Sequence, residues 1–229
     1  FQEAFHPRPR KLIRQRLAEE YPHRAGPANQ KWFSLRTNAG VWILSRLPLR
    51  NPRSIEFRAK AELDNKLARK GALMVRFRFR DHDVQLVGTH LNAGGPMAVR
   101  YAQMRQIREE LLAPQAEAGV PQLIAGDLNT NRFDTTRYDS MLTLLDAHNG
   151  PPDERGVAYS SYARTNDLKD GRQDKPGKII DYVLVRPQGV RLRVERSIRE
   201  FERPWSKRRR DLSDHYAVEA RIVFPPRRR

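Results

Sequence analysis

The sequence predicts an α/β fold that is richer in strand than in helix. Two observations carry that reading. Apolar runs of strand length, some continuous and some alternating with polar residues, recur along the chain and stop at polar, glycine or proline positions. Between them only three segments repeat apolar residues at helical spacing, and several neighbouring strands are joined by short turns.

Residues 1–5 start with neither a helix signal nor a turn. Over residues 10–20, Leu12, Ile13 and Leu17 set against Arg, Lys, Gln and Glu describe an amphipathic helix that Pro22 breaks. Residues 40–49 read as a buried strand ending at a proline. Residues 73–79 alternate apolar side chains with arginine and pair as a hairpin with 84–89 through Asp81, His82 and Asp83, which makes His82 a turn residue. In the second strand Val84, Leu86 and Gly88 alternate with Gln85, Val87 and Thr89, and the run closes on His90 and Asn92. Residues 96–118 place Tyr101, Met104, Ile107 and Leu111 at helical spacing behind a proline, with Met104 as core filling.

The next strand, Leu123 to Ala125, is expected to stop at Gly126, where the backbone turns freely. If extended geometry persists through Leu128, Asp127 and Asn129 project together and Leu128 returns to the core. Alone, Gly-Asp-x-Asn is equally good strand-to-turn punctuation. Asp134 is a candidate N-cap for a helix reaching Asp146, with Tyr138, Met141, Leu142 and Leu145 inward. Residues 149–177 are rich in Gly, Pro, Asp and Arg, and a loop of that length is expected to be functional or mobile. Strands follow at 179–185, with Asp181 inside, at 190–198 and at 216–224, and the basic residues 225–229 form a frayed tail.

At 229 residues, 38% hydrophobic and 31% charged, the chain suits one globular domain, expected over residues 1–224. Apolar runs long enough to span a bilayer are lacking, and the lack of cysteine excludes disulfides and thiolate metal sites. A net charge of +17, mostly from arginine, draws the protein to polyanions: nucleic acid, an anionic membrane or a phosphorylated small molecule. A solvated basic surface is the plainer explanation of the same number.

Chemistry gathers at strand ends. Thr89-His90-Leu91-Asn92, Gly126-Asp127-Leu128-Asn129, Ile180-Asp181 and Ser213-Asp214-His215 place Asp, His or Asn at or near the ends of four strands. Each residue alone has a bland reading as a surface, core or capping group. Together they resemble the endonuclease/exonuclease/phosphatase superfamily of phosphoesterases, and the match spans nearly the whole chain. The stretch Leu63-Asp64-Asn65-Lys66-Leu67-Ala68-Arg69-Lys70-Gly71-Ala72 resembles in particular the Lys-Gly segment of neutral sphingomyelinases, and the Ser45-Arg46-Leu47-Pro48 stretch is similar to a core motif of the family.

The resemblance implies a four-layered α/β sandwich, two packed and mostly antiparallel sheets with helices outside. It implies an earlier strand ending in an Asn, so the expectation is a chain whose first strand is missing. By matched motif, Glu3, Asp127, Asn129 and Asp214 bind metal, and Asp127 orients or activates water. His215 is base or phosphate-stabilising imidazolium with Asp181 as its partner, His90 protonates the leaving group, and Asn92 touches phosphate. His6, His23 and His148 match nothing. Oxygen ligands suit a hard cation, which makes Mg²⁺ the default and Mn²⁺ or Ca²⁺ substitutes.

Three functions stay open. A sphingomyelinase-like phospholipid phosphodiesterase is favoured by the Lys-Gly segment and by residues 201–210, where Phe201 and Trp205 interleave with cations, as in a membrane-docking hairpin. A nuclease of the same fold is favoured by the charge, with Trp205 stacking on a base. An inactive basic binding module is the third.

Overall fold

A computed structural model describes residues 1–30, 37–61, 68–150, 156, 158–161, 165–169 and 176–225. Most of the expected long loop at 149–177 and all but one residue of the basic tail lie outside the described residues.

The first helix, α1 (Pro7–Leu17), starts earlier than its periodicity suggested, because Pro7 and Pro9 sit in its first turn, where their missing N–H groups cost nothing. His6, to which the sequence gave no role, caps it by accepting from the Arg8 amide at 3.2 Å. None of its residues is buried. The strand expected at 40–49 shrinks to β2 (Ile43–Ser45), which pairs antiparallel with β1 (His23–Ala25). The Gly40 carbonyl and both backbone groups of Trp42 serve the N-terminus instead: Ala4 donates to Gly40, and Phe1 and Trp42 exchange two hydrogen bonds of 2.9 and 3.0 Å.

β3 (Arg50–Glu56) gave no sequence signal, being polar and interrupted by Pro52. It survives as a strand because it is an edge, and the proline sits where the register with β4 (Gly71–Phe79) shifts between Arg50 and Arg53. β4 and β5 (His82–His90) form the expected hairpin with a shorter turn, Arg80 and Asp81. His82 therefore pairs with Phe79 and stacks on Phe224 at 4.5 Å. The helix expected at 96–118 is α2 (Met97–Ile107), which widens into a π-helical turn at Arg108–Leu112. β6 (Gln122–Asp127), α3 (Thr135–Leu145, capped by Asp134), β7 (Asp181–Arg186), β8 (Arg193–Arg199) and β9 (Ala217–Val223) fall close to expectation.

Strands β3-β4-β5-β6-β7 form one sheet, antiparallel throughout except for the parallel β5/β6 pair. One face, with Met74, Val87, Ile124, Tyr182 and Leu184, packs on Met104, Ile107, Met141 and Leu145 of α2 and α3. The other face packs at one end on the β1/β2 side through Leu73, Val75, Val41 and Ile43, and at the other on β8/β9 through Val84, Leu123, Val185, Val194 and Ile222. The molecule is an α/β sandwich. Among the described residues its second β-layer is two antiparallel pairs, β1/β2 and β8/β9, rather than one continuous sheet. Among the described residues no helix is long and apolar enough to cross a membrane.

Candidate active site

Strand register assembles the centre of the site. The parallel β5/β6 pair sets His90 beside Asp127, and the antiparallel β6/β7 pair sets Asp127 opposite Asp181. Because β5 and β6 end where β7 begins, three polar side chains stand in a row on the face turned away from α2 and α3. Close approach at this edge explains Gly126. Its φ of +149° is unfavourable for other residues, and a Cβ there would lie 1.9 Å from the Thr89 carbonyl oxygen. The strand does not stop at this glycine, as the sequence reading had it, but runs on to Asp127.

Asn129 also departs from expectation. Its φ of +47° ends the extended run, so it does not simply project beside Asp127. Its amide N–H instead donates to Asp127 Oδ1 at 2.8 Å, and its Nδ2 to the Leu91 carbonyl at 3.0 Å, stitching the ends of β5 and β6 together. Leu128 enters the core as expected.

His215 completes the group from the segment before β9. Its Nδ1 lies 2.9 Å from Asp181 Oδ2 and its Nε2 3.2 Å from Ser161 Oγ. Single ligand atoms of Asp127, Asp181 and His215 all fall within 4.8 Å of one another, a spacing that suits a cation. Glu3 reaches the row from the N-terminal segment, its Oε1 4.0 Å from His90 Nδ1. Beside these residues lies a groove of about 540 Å³ lined by Phe1, Gln2, Asp181, Phe201, Leu212 and His215, among others.

The electrostatics distinguish the two histidines. Burial pushes His90 down to about 3, and the charges of Lys70 and His215 push the same way, so its imidazole is neutral. Its Nε2 sits 3.6 Å from Asp127 Oδ2, beyond hydrogen-bond length, and its buried Nδ1 has no hydrogen-bond partner. For His215 burial works downward, but the hydrogen bond to Asp181 and the charges of Asp181, Asp127 and Asp214 outweigh it and raise the pKa. Burial and then the Asp181 charge push the Asp127 carboxyl up to about 7, against the opposing pull of His215, the Asn129 amide and Lys70.

Three residues without an assigned role in the sequence reading now enter. Lys70 is buried, with Nζ 3.3 Å from His90 Nε2 and donating to the Leu91 carbonyl at 2.9 Å. It lies in the Lys-Gly segment that carried the sphingomyelinase resemblance, so a signal existed. Ser161 and Lys169 carried none, because the sequence around them has no apolar periodicity. Lys169 Nζ holds Asp214 Oδ2 at 2.7 Å, and this pair lowers the Asp214 pKa despite the burial that works upward. Asp214 thus answers to a lysine rather than to the row of carboxylates. Asn92 is buried beneath α2, where Gln103 donates to its Oδ1.

Residues 201–212 fold as a hairpin with Glu202 bridged to Asp211 and Arg203 N–H donating to the Arg210 carbonyl at 2.8 Å. Residues 165–169 brace its base: the amides of Arg210 and Asp167 donate to Asp167 Oδ2 and Asp211 Oδ2 at 2.7 Å, and Asn166 Nδ2 donates to the Ser213 carbonyl. Phe201, Trp205 and Leu212 are each more than half exposed. Trp205 stands away from the carboxylate row, its Nε1 bonded to the Asp211 carbonyl at 2.9 Å.

Known proteins share this arrangement of chain. Residues 1–215 match the model of the endonuclease/exonuclease/phosphatase family. A sphingomyelinase C of Bacillus cereus is 26% identical over 240 residues, covering 90% of this chain and 71% of that protein. The crystal structure of sphingomyelinase C from Streptomyces griseocarneus superposes with a TM-score of 0.81 at 27% identity, covering 96% of this chain and 84% of that one. Beta toxin from Staphylococcus aureus, in a double mutant with bound magnesium ions, superposes with the same TM-score of 0.81 at 20% identity over 96% and 84% of the two chains.

Proposed function

Since the chain belongs to the endonuclease/exonuclease/phosphatase family, we propose that it is a divalent-metal-dependent phosphodiester hydrolase acting on phospholipids of the sphingomyelin type. The observation that carries the reading is the row His90, Asp127, Asp181 and His215, which supplies a neutral imidazole, a high-pKa carboxyl and a carboxylate-oriented imidazole in one place. Similarity over 90% of the chain to a sphingomyelinase C supports the substrate class.

Hydrolysis of a phosphodiester needs a positioned and deprotonated water, stabilisation of charge on phosphorus and a proton for the leaving oxygen. Asp127, set by strand register beside His90 and opposite Asp181, is placed to orient the attacking water. Asp181 fixes the tautomer of His215 and favours its imidazolium, which faces the phosphate oxygens as a charged donor. His90 is neutral until an anion arrives. A phosphodiester placed against it raises its pKa by the opposite-charge effect, and the proton it then carries goes to the leaving oxygen.

The donor set fits a hard cation: the buried Asp127 carboxyl stands beside the half-buried Asp181 with ligand atoms within 4.8 Å, and Glu3 lies at the rim. Glu3, Asp127 and Asn129 would hold it, and Asp214 joins them only if it leaves Lys169. When bound, Mg²⁺, or Mn²⁺ or Ca²⁺ in its place, supplies neutralisation of the phosphate charge. The hairpin at 201–212, with Phe201 and Trp205 exposed among cations, is the surface that meets the lipid.

A nuclease is the second reading, favoured specifically by the charge of +17. Purified protein with Mg²⁺, tested on sphingomyelin vesicles, plasmid DNA and a soluble phosphodiester, separates the two. Vesicle hydrolysis that chelation abolishes and Mg²⁺ restores is the expected result. Full turnover in chelator sinks the metal assignment, and cleavage of DNA alone sinks the lipid one. Trp205→Ala is expected to lower vesicle hydrolysis while leaving the soluble substrate untouched.

A further inference from the structure

A second groove, about 350 Å³ in volume, opens between α1 and the loop after β1, lined by Arg8, Arg10, Lys11, Arg14, Arg24 and Trp42 among others. Among the described residues neither Asp nor Glu lines it. Arg10 turns inward, its Nη1 donating to the Ala4 and Phe5 carbonyls at 2.5 and 2.6 Å. Arg8, Lys11, Arg14 and Arg24 are exposed, and among the described residues none has a carboxylate partner. Within α1 the pairs Arg8/Lys11 and Lys11/Arg14 stand three apart and Arg10/Arg14 four apart, spacings at which like charges repel. A concave surface lined by one sign of charge focuses the field on whatever anion enters it.

The helix shows a second feature that points to the kind of anion. Leu12 is 55% exposed on the outward face, with Arg8 and Arg16 one turn to either side. A basic helix without a buried residue, carrying an apolar side chain outward between cations, has the character of a helix that lies at a membrane surface. Phe1, 55% exposed and packed on Trp42 at 5.6 Å, adds apolar surface near the same groove. A nucleic acid would instead call for a ring inside the groove on which bases stack; among the described residues the aromatic one lining it, Trp42, is only 3% exposed, and Phe1 lies outside the lining.

We propose that α1 and its groove form a second, non-catalytic site for the phosphate headgroup of an anionic phospholipid, with Leu12 at the acyl boundary. The inference extends the phospholipid reading of the active site: the protein would be concentrated on membranes by one lipid class while hydrolysing another. It predicts that binding depends on anionic lipid and on these particular cations.

The test compares the wild-type protein with the triple variant Lys11→Gln, Arg14→Gln, Arg24→Gln in cosedimentation with phosphatidylcholine vesicles, with and without phosphatidylglycerol, at low salt. Each cation near an anionic surface contributes about fivefold, so the triple variant is expected to bind mixed vesicles about a hundredfold more weakly. A second triple variant, Arg53→Gln, Arg191→Gln, Arg221→Gln, removes three exposed arginines elsewhere and is expected to bind almost as the wild type does. Hydrolysis of a soluble phosphodiester is expected to be equal in all three proteins. Unchanged vesicle binding by the groove variant, an equal loss in the second variant, or a loss of DNA affinity with vesicle affinity kept would each overturn the proposal. If none of the proteins cleaves the soluble substrate, the catalytic reading fails while the vesicle measurement still decides the groove.

Discussion

Two rows of polar side chains cross β5, β6 and β7, five residues apart on every strand. Gln85, Gln122 and Arg186 form one, and His90, Asp127 and Asp181 the other. The odd spacing puts them on opposite faces of the sheet. In the first row Gln122 Nε2 donates to Gln85 Oε1 at 2.7 Å and to the Leu112 carbonyl at 2.8 Å, while Gln85 Nε2 donates to the Gln115 carbonyl at 2.9 Å. Arg186 donates to Gln122 Oε1 and, at 2.6 Å, to Asp146 Oδ2. The second row leaves His90 Nδ1 without a hydrogen bond and sets two carboxylates opposite each other. Buried polar groups that are fully paired rigidify a fold, whereas buried groups left short of partners cost stability and are available to a ligand. The first row holds the sheet together, and the second is the one to which the proposed function assigns the chemistry.

The largest expected effect breaks the second row. Asp127→Asn, His90→Ala and His215→Ala should each lower turnover by roughly two to four decades, the usual range for a proton-transfer or positioning group, with the fold retained by circular dichroism. Because these residues act as a unit, the His90→Ala, His215→Ala double variant should lose far less than the product of the single losses. Near-normal turnover in any folded single variant would remove that residue from the mechanism.

Breaking the first row should do the reverse. Arg186→Met leaves Gln122 Oε1 in the core with only the longer, 3.4 Å donor Gln188 Nε2 and is expected to cost about 1–3 kcal/mol in urea unfolding, with turnover per folded molecule unchanged. A tenfold fall in turnover at full occupancy of the native state would show that the rows are not separate devices.

The smallest effect is a difference of sign. Burial raises Asp127 from 3.8 to about 7, so the native state binds the extra proton and, without metal, stability contributed by this group falls as pH rises from about 4 to 7 and is level above. In the first row the Arg186 hydrogen bond depresses Asp146, so that stability is present above the ordinary carboxylate range and is lost as pH falls through it. Unfolding curves in chelator should show the Asp127→Asn variant gaining on the wild type as pH rises, and Asp146→Asn losing its disadvantage as pH falls. Parallel pH profiles for all three proteins would contradict the assignment.

Much of the fold was legible because periodicity is local. The alternation of 84–89, the apolar run before Asp127 and the spacing of Met141 and Leu145 each specify an element without reference to the rest of the chain. β3 was illegible for the same reason: its polar residues and Pro52 carry no strand pattern, and an edge position beside β4 is what makes it a strand. At the site, the types of residue at strand ends were visible, and so was the Lys-Gly segment. The extended geometry on which the joint projection of Asp127 and Asn129 depended does not persist: Asn129 is left-handed, and its side chain donates to the carbonyl of Leu91, 38 residues away.

By itself the sequence determined most of the strands and helices, though neither β1 nor β3, and that Asp, His and Asn stand at the ends of several of them, since side-chain period and turn chemistry act over a few residues. Only the tertiary structure decided that His90 lies beside Asp127 and Asp127 opposite Asp181, that Lys70 touches His90 and that Lys169 holds Asp214. Those contacts are set by strand register and by packing between segments from 20 to more than 50 residues apart, and no local pattern encodes the neighbour a strand acquires when the chain closes on itself.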